Sequence, residues 1–303
     1  MVVTLSHLGY VKYQPLSEYQ AQKRGGKGKL AAATREEDWV DKLWVTHTHD
    51  WLLCFTSHGR VHWLKVYQIP EGSRGARGKP IVNLLKLEAG EKVQAIMPVH
   101  DLEQTSAEDR RYVLFATQKG VVKRTPLADY SRPRSAGLIA IDLREGDELI
   151  GAAVTNGEQE IMLFSDAGKV ARFRETDLRV LSRQASGVRG IRLTAIGDDS
   201  EGEDDAGDDD ANDTPVNAKV IGLIVIGDGD VLTVSERGYG KRTDVADFPV
   251  RKRGGKGVIA QSLTDKTGAL VSAIQVQATD ELMLIADSGK LIRTRVSEVR
   301  VLG

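Results

Sequence analysis

The sequence predicts an all-β protein of six repeated units, each of about 50 residues, stacked as a propeller-like disc. Three observations predict it. A short glycine-centred pattern recurs six times, helical periodicity over ten or more residues is weak throughout, and glycine is abundant (31) where proline is sparse (8). The pattern is an apolar strand, a small or polar residue, two variable residues, a glycine, then an apolar and basic strand. Its copies are "TLSHLGYVKY", "CFTSHGRVHW", "LFATQKGVVKR", "LFSDAGKVARF", "TVSERGYGKRT" and "LIADSGKLIRT". Their turn glycines are Gly9, Gly59, Gly120, Gly168, Gly238 and Gly289, at spacings of 50, 61, 48, 70 and 51.

Each copy reads as short strands, alternating or wholly apolar, bounded by Gly, Asp and Asn turns. The best helical stretch, "TREEDWVDKLW" at 34–44, is short. The two long spacings have local causes. The polar segment "VHDLEQTSAEDRRY" lengthens the second unit, and an acidic run is inserted at a hairpin tip of the fourth. The flanks of that run, "GIRLTAI" and "KVIGLIVI", correspond to "LIAIDL" and "ELIGAAV" one copy earlier. A unit of this size cannot bury both faces of its sheet alone, so the copies must stack on one another.

A second glycine keeps register with the first. Gly28, Gly78, Gly187 and Gly257 each follow their turn glycine by 19 residues and Gly137 follows by 17; the sixth counterpart falls at 308, past the last residue. The segments leading to these glycines are "QKRGGKG", "SRGARGK", "RPRSAG", "RQASG" and "RKRGGKG". One structural position per repeat therefore carries a basic loop, and the first and fifth copies carry it in its fullest form.

The balance of 42 basic and 43 acidic residues conceals an asymmetry. Residues 198–213, "DDSEGEDDAGDDDAND", hold ten carboxylates and no cation; without them 42 basic residues face 33 acidic ones, a net +9. The expectation is one domain over 1–303, moderately basic, with an insertion at 198–213 whose composition predicts disorder. The single cysteine, Cys54 in "WLLCF", excludes an internal disulfide framework and reads as a buried small hydrophobe. The longest apolar run, residues 220–226, has strand length, and "MVVTLSHLGYVKY" lacks the features of a signal peptide, so the expected location is cytoplasmic.

Cationic glycine loops suit phosphates. Lys and Arg bring charge and donors, and adjacent glycines let the backbone approach closely and present N–H groups to an anion. The candidate contacts in the first loop are Gln22, Lys23, Arg24, Gly25, Gly26, Lys27 and Gly28, and in the second Arg74, Arg77 and Lys79. The fifth loop contributes Arg251, Lys252, Arg253, Gly254, Gly255, Lys256 and Gly257. A further set follows the turn glycines: Arg124, Arg172, Arg242 and Arg293 stand four residues on, and Lys123 and Lys241, like Lys12, one position earlier. Equivalent positions in radial repeats predict a belt of exposed cations, the footprint of a surface that bends a duplex around itself.

Other chemistries fit poorly. "GSRGARGKP" lacks the glycine spacing of a phosphate loop and has Pro80 where Ser or Thr is required. "HTH" at 47–49 puts two imidazoles on one strand face with no zinc constellation around them. No nucleophile elbow, paired-carboxylate motif or dinucleotide fingerprint is present, so neither a catalytic nor a metal site is expected. Two binding classes compete with double-stranded DNA. A propeller-type protein-interaction scaffold would be insensitive to salt, and an RGG-type RNA binder would carry its motifs in disordered tracts.

The stretch from Gln22 to Gly28 resembles the signature box of the C-terminal DNA-wrapping domain of bacterial DNA gyrase A, with Lys23 in place of the family's usual Arg. The likeness runs through "VTLSHLGYVKYQPLSEY", "GARGKPIVNLL", "IMLFSDAGKV", "GYGKRT" and "IRTRVSE". It implies a six-bladed, hairpin-exchanged β-pinwheel that wraps duplex DNA with positive handedness and supports supercoiling. The implied partners are DNA, the rest of gyrase A, and gyrase B, in a heterotetramer. The isolated domain is expected to be monomeric, off the membrane, cytoplasmic and nucleoid-associated. No cofactor is implied for this fragment, since the ATP and Mg of the holoenzyme act elsewhere and the cleaving tyrosine lies in the N-terminal part of gyrase A. The topoisomerase IV counterpart is the runner-up, and its domain lacks a complete box. Two features depart from the family pattern: the sixth copy ends before its box, so that either the chain is cut short or its final blade is incomplete, and the acidic insertion has no place in the basic repeat.

Overall fold

The computed structural model describes residues 1–16, 38, 40–73, 75–102, 110–195, 217–285 and 291–302. All regular structure there is β-strand or short 3-10 turn, as the sequence predicts. The chain divides into two compact units, residues 1–105 with 130–140, and residues 106–129 with 141–303.

The first unit holds two four-stranded sheets. In one, the hairpin β1 (Val2–Ser6) and β2 (Tyr10–Gln14) is flanked by β3 (Val40–Val45) on the side of β1 and β6 (Lys79–Pro80) on the side of β2. In the other, β4 (Trp51–Thr56) and β5 (Arg60–Lys65) lie between β7 (Val93–Val99) and β10 (Leu138–Ile139).

The second unit repeats the plan. β8 (Tyr112–Thr117) and β9 (Val121–Pro126) lie between β11 (Leu149–Thr155) and β14 (Val188–Arg189). β12 (Glu160–Ser165) and β13 (Lys169–Arg174) lie between β15 (Val220–Val225) and β18 (Val258–Ile259). A three-stranded sheet follows, of β16 (Asp230–Ser235), β17 (Gly240–Thr243) and β19 (Leu270–Val276), then the hairpin β20 (Glu281–Ile285) and β21 (Leu291–Arg295).

The repeated pattern is thus a hairpin, and its chemistry is visible in the bonds. The glycine N–H donates to the carbonyl three residues back, as Gly120 does to Thr117. The small polar residue of the pattern then uses its hydroxyl: Ser6, Thr56, Thr117 and Ser165 each accept from the backbone N–H four residues on. Gly120 has φ +84°, the left-handed conformation that L side chains disfavour, which explains a glycine at this place.

The second glycine series marks the strand exchange. In all four four-stranded sheets the outer two-residue strand comes from the next repeat, immediately after Gly78, Gly137, Gly187 or Gly257. Its docking is completed at the hairpin turn, where the carbonyls of Gly9, Gly59, Gly120 and Gly168 accept from Ile81, Ala140, Gly190 and Ala260.

Between neighbouring sheets of one unit lies the core. In the first unit Val3 and Val11 meet Leu52, Cys54, Leu64 and Ile96. In the second, Leu114, Ala116 and Val122 meet Ile161, Leu163, Ala171 and Phe173, and further clusters lie beside the three-stranded sheet. The first hairpin strands are buried nearly end to end, which is why "WLLCF" and "IMLF" are continuously apolar. Truncating one such side chain, Leu163→Ala, costs about 2–5 kcal/mol. Cys54 is the buried hydrophobe expected, its thiol pushed up to about 12 by burial.

Two expectations shift. Residues 40–44 of the helical-looking stretch form strand β3. The "HTH" segment is a turn, closed by the Asp50 N–H on the His47 carbonyl, rather than a strand face. No helix among the described residues is long and apolar enough to cross a membrane.

Candidate nucleic-acid interface

The basic loops at the second glycine position are built on the strands of the preceding repeat. Loop 251–257 is tied at three backbone points: Arg251 N–H donates to the Arg172 carbonyl at 2.9 Å, Gly254 N–H to Gly190 at 2.8 Å, and the Gly255 carbonyl accepts from Arg192 at 2.9 Å. Arg253 adds a guanidinium bond to the Arg189 carbonyl at 3.0 Å. Gly257 has no alternative, because a Cβ there would lie 2.3 Å from the Val170 carbonyl oxygen. On this platform Lys252 is exposed and Arg251, Arg253 and Lys256 are partly so.

Loop 72–79 in the first unit follows the same plan. Gly72 N–H donates to the Tyr13 carbonyl, Arg77 stacks 3.7 Å from the Tyr10 ring centre, and Arg77 and Lys79 are exposed. Loop 131–137 exposes Arg132 and Arg134, two cations outside the candidate set although the "RPRSAG" segment contains them. Gln22 to Gly28, Arg74 and the acidic run at 198–213 lie outside the described residues.

Among the described side chains the second set of cations does not form an exposed belt, and that expectation is corrected. Lys123 has no exposed surface; its Nζ donates to the carbonyls of Ser182 (3.0 Å), Arg183 (2.6 Å) and Ala185 (3.1 Å). Burial, helped by the nearby Arg183 charge, pushes this amine down to about 7 against the opposing pull of Asp129 and Asp142. Arg124 donates to the Gly157 carbonyl, lies 3.9 Å from the buried Glu175 carboxylate and faces the Tyr112 ring. Arg172 clamps Glu160 at 2.5 Å and the carbonyls of Val245 and Phe248 at 2.6 and 2.8 Å. Arg242, 9% exposed, lies 3.1 Å from Asp230. Lys241 is half-buried, and burial lowers its amine against the pull of Asp247. Arg293 is placed on β21, paired with Met283, and only its backbone is described.

The physical reason differs between the two positions, because neighbouring strand residues face opposite ways. Lys123, three residues after its turn, faces the loop of the next repeat, whereas Arg124, Arg172 and Arg242, one position on, reach the carboxylates of Glu175, Glu160 and Asp230. Such a charge must find partners inside the chain. No cluster of metal-ligating side chains is present among the described residues.

Repeated sheets with exchanged outer strands, carrying one basic loop per repeat, define an all-β protein of the propeller-like class. The family model described as "DNA gyrase C-terminal domain, beta-propeller" matches residues 1–43, 50–100, 111–156, 159–197, 229–277 and 280–303. The chain belongs to the DNA gyrase C-terminal domain family. Over its whole length it is 52% identical to the DNA gyrase A of Salmonella typhimurium and of Escherichia coli, and 43% identical to that of Pseudomonas aeruginosa. It spans about a third of the length of these relatives, 32% for the first two and 35% for the third.

Two solved structures share the fold. That of the DNA gyrase A C-terminal domain superposes with a TM-score of 0.68 at 25% identity, covering all of this chain and 91% of the other. The C-terminal domain of DNA topoisomerase IV gives 0.80 at 22% identity, covering 99% and 85%; at that identity the likeness speaks for the fold alone.

Proposed function

We propose that residues 1–303 act as one non-catalytic domain that binds and wraps duplex DNA for a type II topoisomerase of the gyrase kind. In this reading the rest of gyrase A, together with gyrase B, supplies the cleavage and ATP-dependent steps, with their cofactors, in the cytoplasm. The observation that carries it is loop 251–257, a cationic glycine loop held at several backbone points beneath an exposed Lys252. Such a loop grips phosphates without reading bases. Arg77, Lys79, Arg132 and Arg134 extend the same chemistry in the first unit, and Gln22 to Gly28 supplies a further box by sequence.

The sequence identity to gyrase A and the complete box favour gyrase over the topoisomerase IV counterpart. Closing a nicked plasmid around the domain and measuring linking number tests the wrap. The expected result is a shift that grows with protein until the plasmid is saturated. Tight binding with an unchanged linking number would reject wrapping.

A further inference from the structure

We propose that Lys12 and Lys123 are positioning residues for the nucleic-acid interface: each is a buried lysine amine that fixes the loop supplied by the next repeat, and neither touches DNA. The functional half rests on the DNA-binding reading above; the structural half stands on geometry alone.

Lysine is almost never fully buried unless it is paired, and these two are 2% and 0% exposed. Their partners are loop carbonyls. Lys123 donates to Ser182, Arg183 and Ala185, engaging as many carbonyls as an ammonium has protons. Lys12, in the other unit, donates to Ser73 and Ala76, both at 2.9 Å. Each lies three residues after its turn glycine and reaches about 60 residues ahead, into the basic loop of the following copy.

The loops come close enough for this only because they end in glycine. A Cβ on Gly78 or Gly187 would lie 2.4 or 2.6 Å from a strand carbonyl and 3.2 Å from the Cβ of that same lysine. Where the lysine is missing, the fixing is done differently. His62 occupies the position in the second copy, buried beneath Gly137. Ala171 occupies it in the fourth, and there loop 251–257 is tied by Arg253 and by its own backbone. The position therefore serves the loop rather than a ligand, and a phosphate contact would require giving up the carbonyls.

Lys12→Met and Lys123→Met keep the stem and delete the donors. In the free domain, hydrogen exchange over 182–187 should quicken by about tenfold or more in Lys123→Met, with β8, β9 and loop 251–257 unchanged. Lys12→Met should do the same to 75–78 only. DNA affinity should fall by about tenfold in each, through lost preorganisation. A small acylating reagent should leave both amines unmodified with and without DNA, while Lys252 is modified and then protected by DNA. Unchanged loop exchange overturns the proposal, as does a Lys123 amine that reacts in the free domain and is shielded by DNA. Quickened exchange at full DNA affinity overturns the positioning role. A wild-type domain that binds no DNA overturns the reading beneath it, and the exchange data keep that failure separate. If Lys123→Met does not fold, Lys12→Met in the other unit decides the question.

Discussion

Loop 251–257 and strand β13 carry cations that look alike in the sequence and behave oppositely in the structure. Lys252 stands exposed on a loop whose backbone is tied beneath it, whereas Arg172, on the strand under that loop, is turned inward onto Glu160 and two carbonyls. The loop hides the strand: the Arg251 N–H bonds the Arg172 carbonyl directly. Arg172 belongs to the fourth copy and Lys252 to the fifth, so the inward charge on the strand and the outward charge on the loop above it come from different copies. Counting both as one belt overstates the surface available to a polyanion.

The largest effect should come from breaking the inner layer. Arg172→Ala leaves Glu160 and the carbonyls of Val245 and Phe248 without their guanidinium, so stability should fall by about 3 kcal/mol in denaturant unfolding. The salt dependence of DNA binding by the molecules that remain folded should be unchanged. Full stability together with a shallower salt slope would put Arg172 on the DNA path and erase the distinction.

The outer layer should answer the other way. Replacing Arg251, Lys252 and Lys256 by Ala should change stability by no more than about 0.5 kcal/mol each, as at other surface sites. The slope of log K against log salt should drop by about 0.9 for each phosphate left unneutralised. The corresponding triple at Lys23, Arg24 and Lys27 should reduce wrapping, read as linking number, more than binding. Normal wrapping by that variant would remove the first box from the interface.

Much of this is legible in the sequence. Among the described residues the turn glycines locate the hairpins, and Gly78, Gly137, Gly187 and Gly257 mark the places where the exchanged strands begin, because positive φ and close backbone approach are requirements that a sequence displays. Lys123 is not legible. Its burial depends on residues 182–185, some 60 positions away, and nothing local to "VVKRT" distinguishes a buried ammonium from a solvated one. The "HTH" segment misleads in the same way, since Asp50 accepts from Thr46 and from the His47 N–H and pairs with His100, turning the chain where alternation suggests a strand.

Lys123 also offers a smaller, pH-dependent test of the two layers. Its amine sits at about 7 when folded against 10.5 for an ordinary lysine, because burial disfavours the charge. Between those values the unfolded chain binds more protons than the folded one, so this group's contribution to stability rises with pH through that window. Stability of the wild type relative to Lys123→Met should therefore improve from pH 6 to pH 9, with Lys252→Met as the exposed control. A difference that stays flat over this range would mean that the ammonium remains charged inside.

The smallest effect concerns a third kind of charge, the ten carboxylates at 198–213, tethered in the second unit between Ala195 and Asn217. If exposed loop cations such as Lys252 are the surface that DNA meets, a tethered polyanion competes for them, whereas Arg172 and Lys123, already occupied, are indifferent to it. The rest of the chain carries +9, so the sign of the interaction is attractive. Attraction between exposed charges is screened over about 8 Å at physiological salt, so the competition should be weak there and grow as salt is lowered. Replacing 198–213 by a four-residue turn should raise DNA affinity most in dilute buffer, leave unfolding unchanged, and lose its effect in the Arg251, Lys252 and Lys256 triple variant. Equal gains with and without those three cations would mean that the segment acts on DNA by general repulsion, not by occupying the loop. Affinity unaltered at every salt concentration would show that the carboxylates lie off the DNA path altogether.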